Sequence, residues 1–154
     1  MRTFNLLICL TLTALSACGG IGKDSGPAMI NSANLDRLVN REWLLKNITV
    51  DSQSVIMHVD ATQTLVFGAD GRVSGHAGVN RFGGAYAFSP QGVLSWPAPG
   101  IVATRMAGPP ELMEKERAYL KGLSEATRAI VAKNGLQLQN EDGGTVLVFE
   151  QIGK

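Results

Sequence analysis

The chain is predicted to be a mainly β domain of antiparallel strands with one amphipathic α-helix covering the sheet. Three observations carry this prediction. Glycine is abundant at 18 residues while charged residues make up only 18% of the chain, a balance suited to strands and tight turns. Turn signals recur at Asp70-Gly71, Pro90-Gln91-Gly92, Asn134-Gly135 and Asp142-Gly143-Gly144. Short turns join antiparallel neighbours, because parallel strands need long crossovers. One stretch, Glu111 to Leu123, has helical instead of strand periodicity.

The N-terminus is expected to lie outside that fold. Arg2 precedes an apolar run from Phe4 to Ala17 that includes Asn5, Thr11, Thr13 and Ser16. The run is shorter than the ~20 apolar residues that cross a hydrocarbon core. It closes on Leu15-Ser16-Ala17-Cys18, ahead of Gly19-Gly20. That pattern resembles a bacterial lipoprotein signal, and it implies a signal peptide over residues 1–17 and a palmitate-class acyl chain on the Cys18 thiol. Gly19 in place of Asp after the acylated cysteine is similar to lipoproteins of the outer membrane that face the periplasm. Residues 18–34 begin Gly-rich and are expected to be a flexible tether, with the folded domain at 35–154. A Gly-rich coil of about 15 residues spans on the order of 20 Å. The piece Gly19 to Lys23 lacks both the spacing of a phosphate loop and its hydroxyl residue after Lys23.

From Arg41 onward the pattern is mostly strands. Trp43 to Ile48 is an apolar run, and Thr62 to Phe67 pairs with Arg72 to Gly75 across Asp70-Gly71. Phe82, Tyr86 and Phe88 share one face at a period of two and are assigned to the core. Val93 to Trp96 and Ile101 to Met106 read as further strands. Arg128 to Ala132 meets Leu136 to Gln139, and Thr145 to Phe149 closes the sheet. Pro109-Pro110 suits a helix start, and Glu111 complements the positive end of the dipole. Leu112, Met113, Tyr119, Leu120 and Leu123 form its core stripe. Glu111, Glu114 and Glu116 read as a solvated acidic face, with Glu111 and Lys115 spaced for a surface pair.

Charge and cysteine usage exclude several classes of function. The chain has 14 Lys+Arg and 13 Asp+Glu. Arg2 is the only charge among the first 17 residues, so the remaining 137 balance at 13 of each sign. A neutral domain lacks the basic field that nucleic acid requires. It also lacks a polybasic membrane patch, which leaves the anchoring to the acyl chains at Cys18. Cys9 falls in the signal and Cys18 at its end, so the domain carries no thiol, disulfide or Cys-based metal site.

The segment Phe67 to Phe88 carries a resemblance. Phe67, Gly71, Ser74-Gly75, Gly78, Asn80-Arg81-Phe82, Gly84 and Tyr86 are similar to the META domain, also called the HslJ-like domain, a family that includes lipoproteins. Thr104-Arg105-Met106-Ala107, the Glu-rich helix, Leu136-Gln137-Leu138 and Leu147-Val148-Phe149 follow in the family's order, and Trp43-Leu44-Leu45 matches its opening strand. The resemblance spans roughly residues 38–150. It implies a small antiparallel barrel-like sheet with one helix, an envelope location, a loose link to stress response, and no established enzymatic activity. The family commonly has Cys where this chain has Val79 and Gly108. The joint loss implies that these two positions are neighbours in space, with Cα atoms within about 7 Å.

The densest polar motif is Gly75-His76-Ala77-Gly78-Val79-Asn80-Arg81-Phe82. One reading is structural, with Asn80 fixing a bend through local backbone bonds. The other makes His76, Asn80 and Arg81 a cluster that receives a ligand or partner chain, Arg81 being suited to carboxylate or phosphate. His58 and His76 have no partner at metal-ligand spacing, and no nucleophile motif occurs. The expectation is therefore a protein with no catalytic residues, metal or cofactor. It would bind or support another envelope component through an apolar groove beside the helix. The alternative is an inhibitor or protective protein acting on a periplasmic hydrolase through a polar loop at Asp51–Asp60 or Trp96–Gly100. The oligomeric state is not legible.

Overall fold

Tight turns stitch the chain into one long antiparallel ladder. The computed structural model describes residues 26–55 and 63–153. The strands are β1 (Ala28–Met29), β2 (Glu42–Val50), β3 (Gln53–Val55), β4 (Thr64–Phe67), β5 (Arg72–His76), β6 (Arg81–Ala85), β7 (Ala87–Phe88), β8 (Leu94–Ser95), β9 (Val102–Ala103), β10 (Arg128–Ala132), β11 (Gly135–Gln139) and β12 (Val146–Ile152). A 3-10 turn, Leu35–Arg37, follows β1, and the helix α1 spans Pro110–Glu125. The main sheet runs β1-β10-β11-β12-β2-β4-β5-β6-β9, with β3 also on β2.

The nine-residue β2 is the axis of this sheet. One side pairs with β12 along nearly its whole length. The other side is shared, with β4 opposite its start and β3 opposite its end. Trp43 and Leu45 are buried, then Ile48 and Val50. The alternation slips by one residue because the register shifts at Val148/Phe149, leaving Lys46 as an extra residue. Asp51 and Ser52 make the β2–β3 turn with φ of 50° and 61°.

The sheet curls without closing. β7 and β8 form a separate small sheet that bridges the gap between β6 and β10. The Leu94 N–H donates to Thr127 O at 2.7 Å, and the Trp96 indole N–H donates to Ala126 O at 3.0 Å. This hairpin seals one end of the core, where the Phe67 ring stands edge-on to Tyr86 at 4.9 Å and stacks on Trp96 at 6.4 Å. The helix seals the other end. Tyr119 packs edge-on to Phe82 at 5.8 Å and donates its hydroxyl to Thr64 O at 3.1 Å. Leu123 is fully buried, worth about 2 kcal/mol of apolar transfer.

Three sequence expectations need correction. The segment expected to be tether up to residue 34 is folded from Ala28 on: Ala28 and Met29 pair with Val131 and Ile130, and Ile30 is 0% exposed. An apolar side chain inside a Gly-led segment found a place under β10 and drew the backbone into the sheet. The strand expected over Ile101–Met106 is only Val102–Ala103, because beyond it the backbone bonds to a side chain, that of Asn80, in place of a strand. The turn expected at Asn134-Gly135 lies one residue earlier, since Gly135 already pairs with Ala132. The buried Phe82, Tyr86 and Phe88 are as expected, although the strand carrying them breaks at Tyr86.

Candidate functional site

The β5–β6 turn builds a small anion-holding concavity. The Ala77 N–H donates to Asn80 O at 2.7 Å, and Gly78 lies at φ 122°, a conformation side chains disfavour. That geometry turns the successive N–H groups of Val79 and Asn80 the same way, as in a backbone nest. Both donate to Glu116 Oε2, at 3.0 and 2.7 Å, and Asn80 Nδ2 donates to Glu116 Oε1 at 2.6 Å. Asn80 Oδ1 accepts from Thr104 Oγ1 at 2.8 Å and from the Met106 N–H at 2.7 Å, and Nδ2 also reaches Met106 O at 3.1 Å. Both donors and both lone pairs of the amide are in use. Asn80 is 1% and Glu116 5% exposed. The pair therefore ties three elements, the β5–β6 turn, the strand after β9 and α1, and it has no free atom for a ligand.

The motif residues do not form one cluster. His76 and Arg81 are cross-strand partners and line a shallow hollow of about 360 Å³ with Glu42, Thr64 and Ser74. His76 Nδ1 accepts the Gly78 N–H at 3.2 Å. The exposed Arg81 has no ion pair among the described residues. Asn80 faces the opposite way, into the Glu116 junction. Cys18, the expected acylation site, and the second histidine, His58, lie outside the described residues, as does the half of the Asp51–Asp60 loop beyond Val55. The Trp96–Gly100 loop is held at its base by the packed Trp96 ring.

Glu116 is the residue that sequence reasoning missed. It is not on a solvated face; it accepts three N–H groups. Its spacing carried the signal, since 116, 119, 120 and 123 share one helical stripe. Conversely Leu112, read as core, is 42% exposed, because the first turn of α1 overhangs the sheet rim. The expected Glu111–Lys115 pair is not among the ion pairs of the described residues, whereas Lys121 bonds to Asp51 and lies 3.7 Å from Glu125.

An open trough runs between β9 and α1. One hollow of about 610 Å³ is lined by residues 101–107 and by Met113, Glu116 and Leu120. A second, of about 530 Å³, continues past Ile101 and Leu120 to Arg117, Lys121 and Ser124. No group of three or more His, Cys, Asp or Glu side chains at metal-binding separation occurs among the described residues.

The sequence model of the META domain matches residues 36–152. The chain belongs to the META domain family. Solved structures agree with the fold. An NMR structure of a protein from Burkholderia xenovorans is 27% identical, covers 82% of this chain and 92% of its own, and superposes with a TM-score of 0.64. A second NMR structure is 24% identical, with 75% and 92% coverage and a TM-score of 0.53. A crystal structure of a DUF4847-family protein from Bacteroides vulgatus shares the fold at 12% identity, with 78% and 98% coverage and a TM-score of 0.58. No curated protein matches the chain.

Within this META domain the two positions that depart from the family's cysteines are adjacent. A Cβ built on Gly108 would sit 3.3 Å from Val79 Cβ and 2.5 Å from its Cγ2. That is within disulfide reach. Val79 fills with two methyl groups the space that the glycine leaves open.

Proposed function

We propose that the protein is a non-enzymatic lipoprotein of the cell envelope, held through an acylated Cys18 at the outer membrane facing the periplasm. Its META domain binds or supports another envelope component there. The observation that carries the binding role is the trough. It is open along one flank, with Ile101, Met113 and Leu120 along its length. Its buried polar residues Asn80 and Glu116 are consumed in holding the fold, and the charged groups left at its rim, Arg105 and Arg117, are exposed cations with no acidic or nucleophilic partner beside them among the described residues of the lining. Such a lining suits adhesion more than bond-breaking, which needs positioned groups with free donors or acceptors. Membership of a family with no known enzymatic activity supports the same reading.

Two measurements test this. Mass spectrometry of the native protein is expected to find an acylated Cys18 as the first residue, and Cys18→Ser is expected to move the protein out of the membrane fraction. A photo-reactive residue at position 120 is expected to crosslink an envelope protein in intact cells, while one at Val148, on the far side of the sheet, does not. An unmodified cysteine overturns the anchoring. Equal crosslinking from both positions overturns the role of the trough. Crosslinks confined to the loop tip at residues 97–99 would favour the hydrolase inhibitor instead.

A further inference from the structure

Among the described residues β9 is an edge strand with an unpaired outer side. It pairs there with β6 alone, Ala103 opposite Phe82 and Val102 opposite Gly83. The Thr104 N–H donates to Arg81 O at 2.9 Å, and the Met106 N–H is taken by Asn80. In an antiparallel ladder, backbone groups alternate sides. Those of 102, 104 and 106 therefore face β6, and those of Ile101, Ala103 and Arg105 face away from it, towards the trough. Natural edge strands are normally short, bulged, covered or charged against such exposure. This one also exposes apolar surface, Val102 and Met106 each being 55% exposed.

We infer that this edge accepts an extended, acidic segment of a partner protein, which adds as a further strand between β9 and α1. The inference rests on the binding role proposed above and names the occupant. Three observations select it. The backbone groups of Ile101, Ala103 and Arg105 offer a strand's ladder, which an acyl chain could not use. The helical wall from Met113 to Ser124 is about 16 Å long, matching roughly five extended residues. The charge left over is positive. Glu116 is satisfied by three N–H groups and Lys121 by Asp51 and Glu125, while Arg105 and Arg117 have no ion pair among the described residues. Apolar residues on the face of the incoming strand turned to α1 would cover Met113 and Leu120, and the carboxylates alternating with them on its other face would meet the two guanidiniums, whose long stems reach around the strand. A second copy of the chain is disfavoured, because β9 against β9 would bring the same unpaired arginines together.

The test uses the full chain as isolated and two fluorescent heptapeptides, one alternating valine with glutamate, the other valine with lysine. The acidic peptide is expected to bind at least about tenfold more tightly at low salt, and Arg105→Glu with Arg117→Glu to invert the preference. Ala103→Pro removes an outward N–H that β6 does not use, and edge strands tolerate it; it is expected to weaken binding about tenfold or more. N-methylation of the peptide's inward-facing amides should do the same without touching the protein, which covers the case in which the proline variant fails to fold. Hydrogen exchange is expected to slow at Ala103 and Arg105. Equal binding of both peptides, indifference to N-methylation, or unchanged exchange over 101–107 would each overturn strand addition. So would displacement of the peptide by palmitate, or saturable self-association without peptide. If both peptides fail while position 120 still crosslinks in cells, strand addition is wrong and the binding role stands. If that crosslink fails too, both fall.

Discussion

The helix is tied to the sheet at two places, and the two ties differ in kind. In its first half Glu116 sits buried under the β5–β6 turn and takes every N–H that the turn points inward. In its second half Lys121 reaches out to Asp51 on the β2–β3 turn and to Glu125 on its own helix, with 45% of its side chain exposed. Both would count as long-range polar contacts. Only the first has no alternative in water, because its donors were desolvated on folding. Removing one partner strands the others. At the second, water replaces whatever is lost, and an exposed pair contributes little.

The largest effect should therefore come from Glu116→Ala, which leaves the N–H groups of Val79 and Asn80 and one Asn80 amide hydrogen unpaired. We expect a loss of about 3–5 kcal/mol, read as a lowered denaturation midpoint at unchanged slope. A loss no larger than that of Lys121→Ala would erase the distinction between the ties.

A covalent tie beside the buried junction sharpens the comparison in the opposite direction. Val79→Cys with Gly108→Cys is expected to form a disulfide and to add about 3.6 kcal/mol in the loop-entropy model. Gly108→Ala alone should destabilise, since its Cβ would lie 2.5 Å from a Val79 methyl. Oxidised and reduced midpoints check this, and equal midpoints would mean that the junction already restrains the loop.

Smaller is the contribution of Tyr119, a core residue between the two ties along the helix. Burial pushes its phenol well above the usual value, and Tyr86 is raised by burial and then by the Asp70 charge. The unfolded chain ionises its tyrosines near pH 10, while the folded chain keeps these protons. Their contribution is thus fully present below pH ~10 and falls as pH rises beyond it. Tyrosinate absorbance should appear together with unfolding, not before it. Tyr119→Phe should cost about 1 kcal/mol for the bond to Thr64 O and should flatten the alkaline decline.

The smallest effect is expected at Lys121. Its bond to Asp51 raises its pKa, yet Lys121→Ala should leave the thermal midpoint within error.

The hairpins were legible because Asp70-Gly71 and Asp142-Gly143-Gly144 act within a few residues. The aromatics at 82, 86 and 88 were legible because a period of two survives even a broken strand. The exposed Leu112 was misread because helical spacing says which residues share a face but not where the sheet beneath them ends. Asp51-Ser52 was not seen as a turn, because nothing local demands positive φ there; the pairing of β3 with β2 imposes it. Of the site, Gly78 and Asn80 were visible as a turn, but their partner was not.

The amino-acid sequence alone determined the antiparallel mainly β class, the position of α1 and the aromatic face of the core. Turn chemistry and side-chain periodicity operate over short range and need no knowledge of the rest of the chain. Tertiary structure decided that Glu116 is a strut instead of a surface charge, that Ile30 belongs to the core, and that β9 is left with an open edge. Glu116 and Asn80 stand 36 residues apart in the chain. The reason for them to meet arises only once the collapsing sheet has taken both out of water and left each with hydrogen bonds that the other alone can complete.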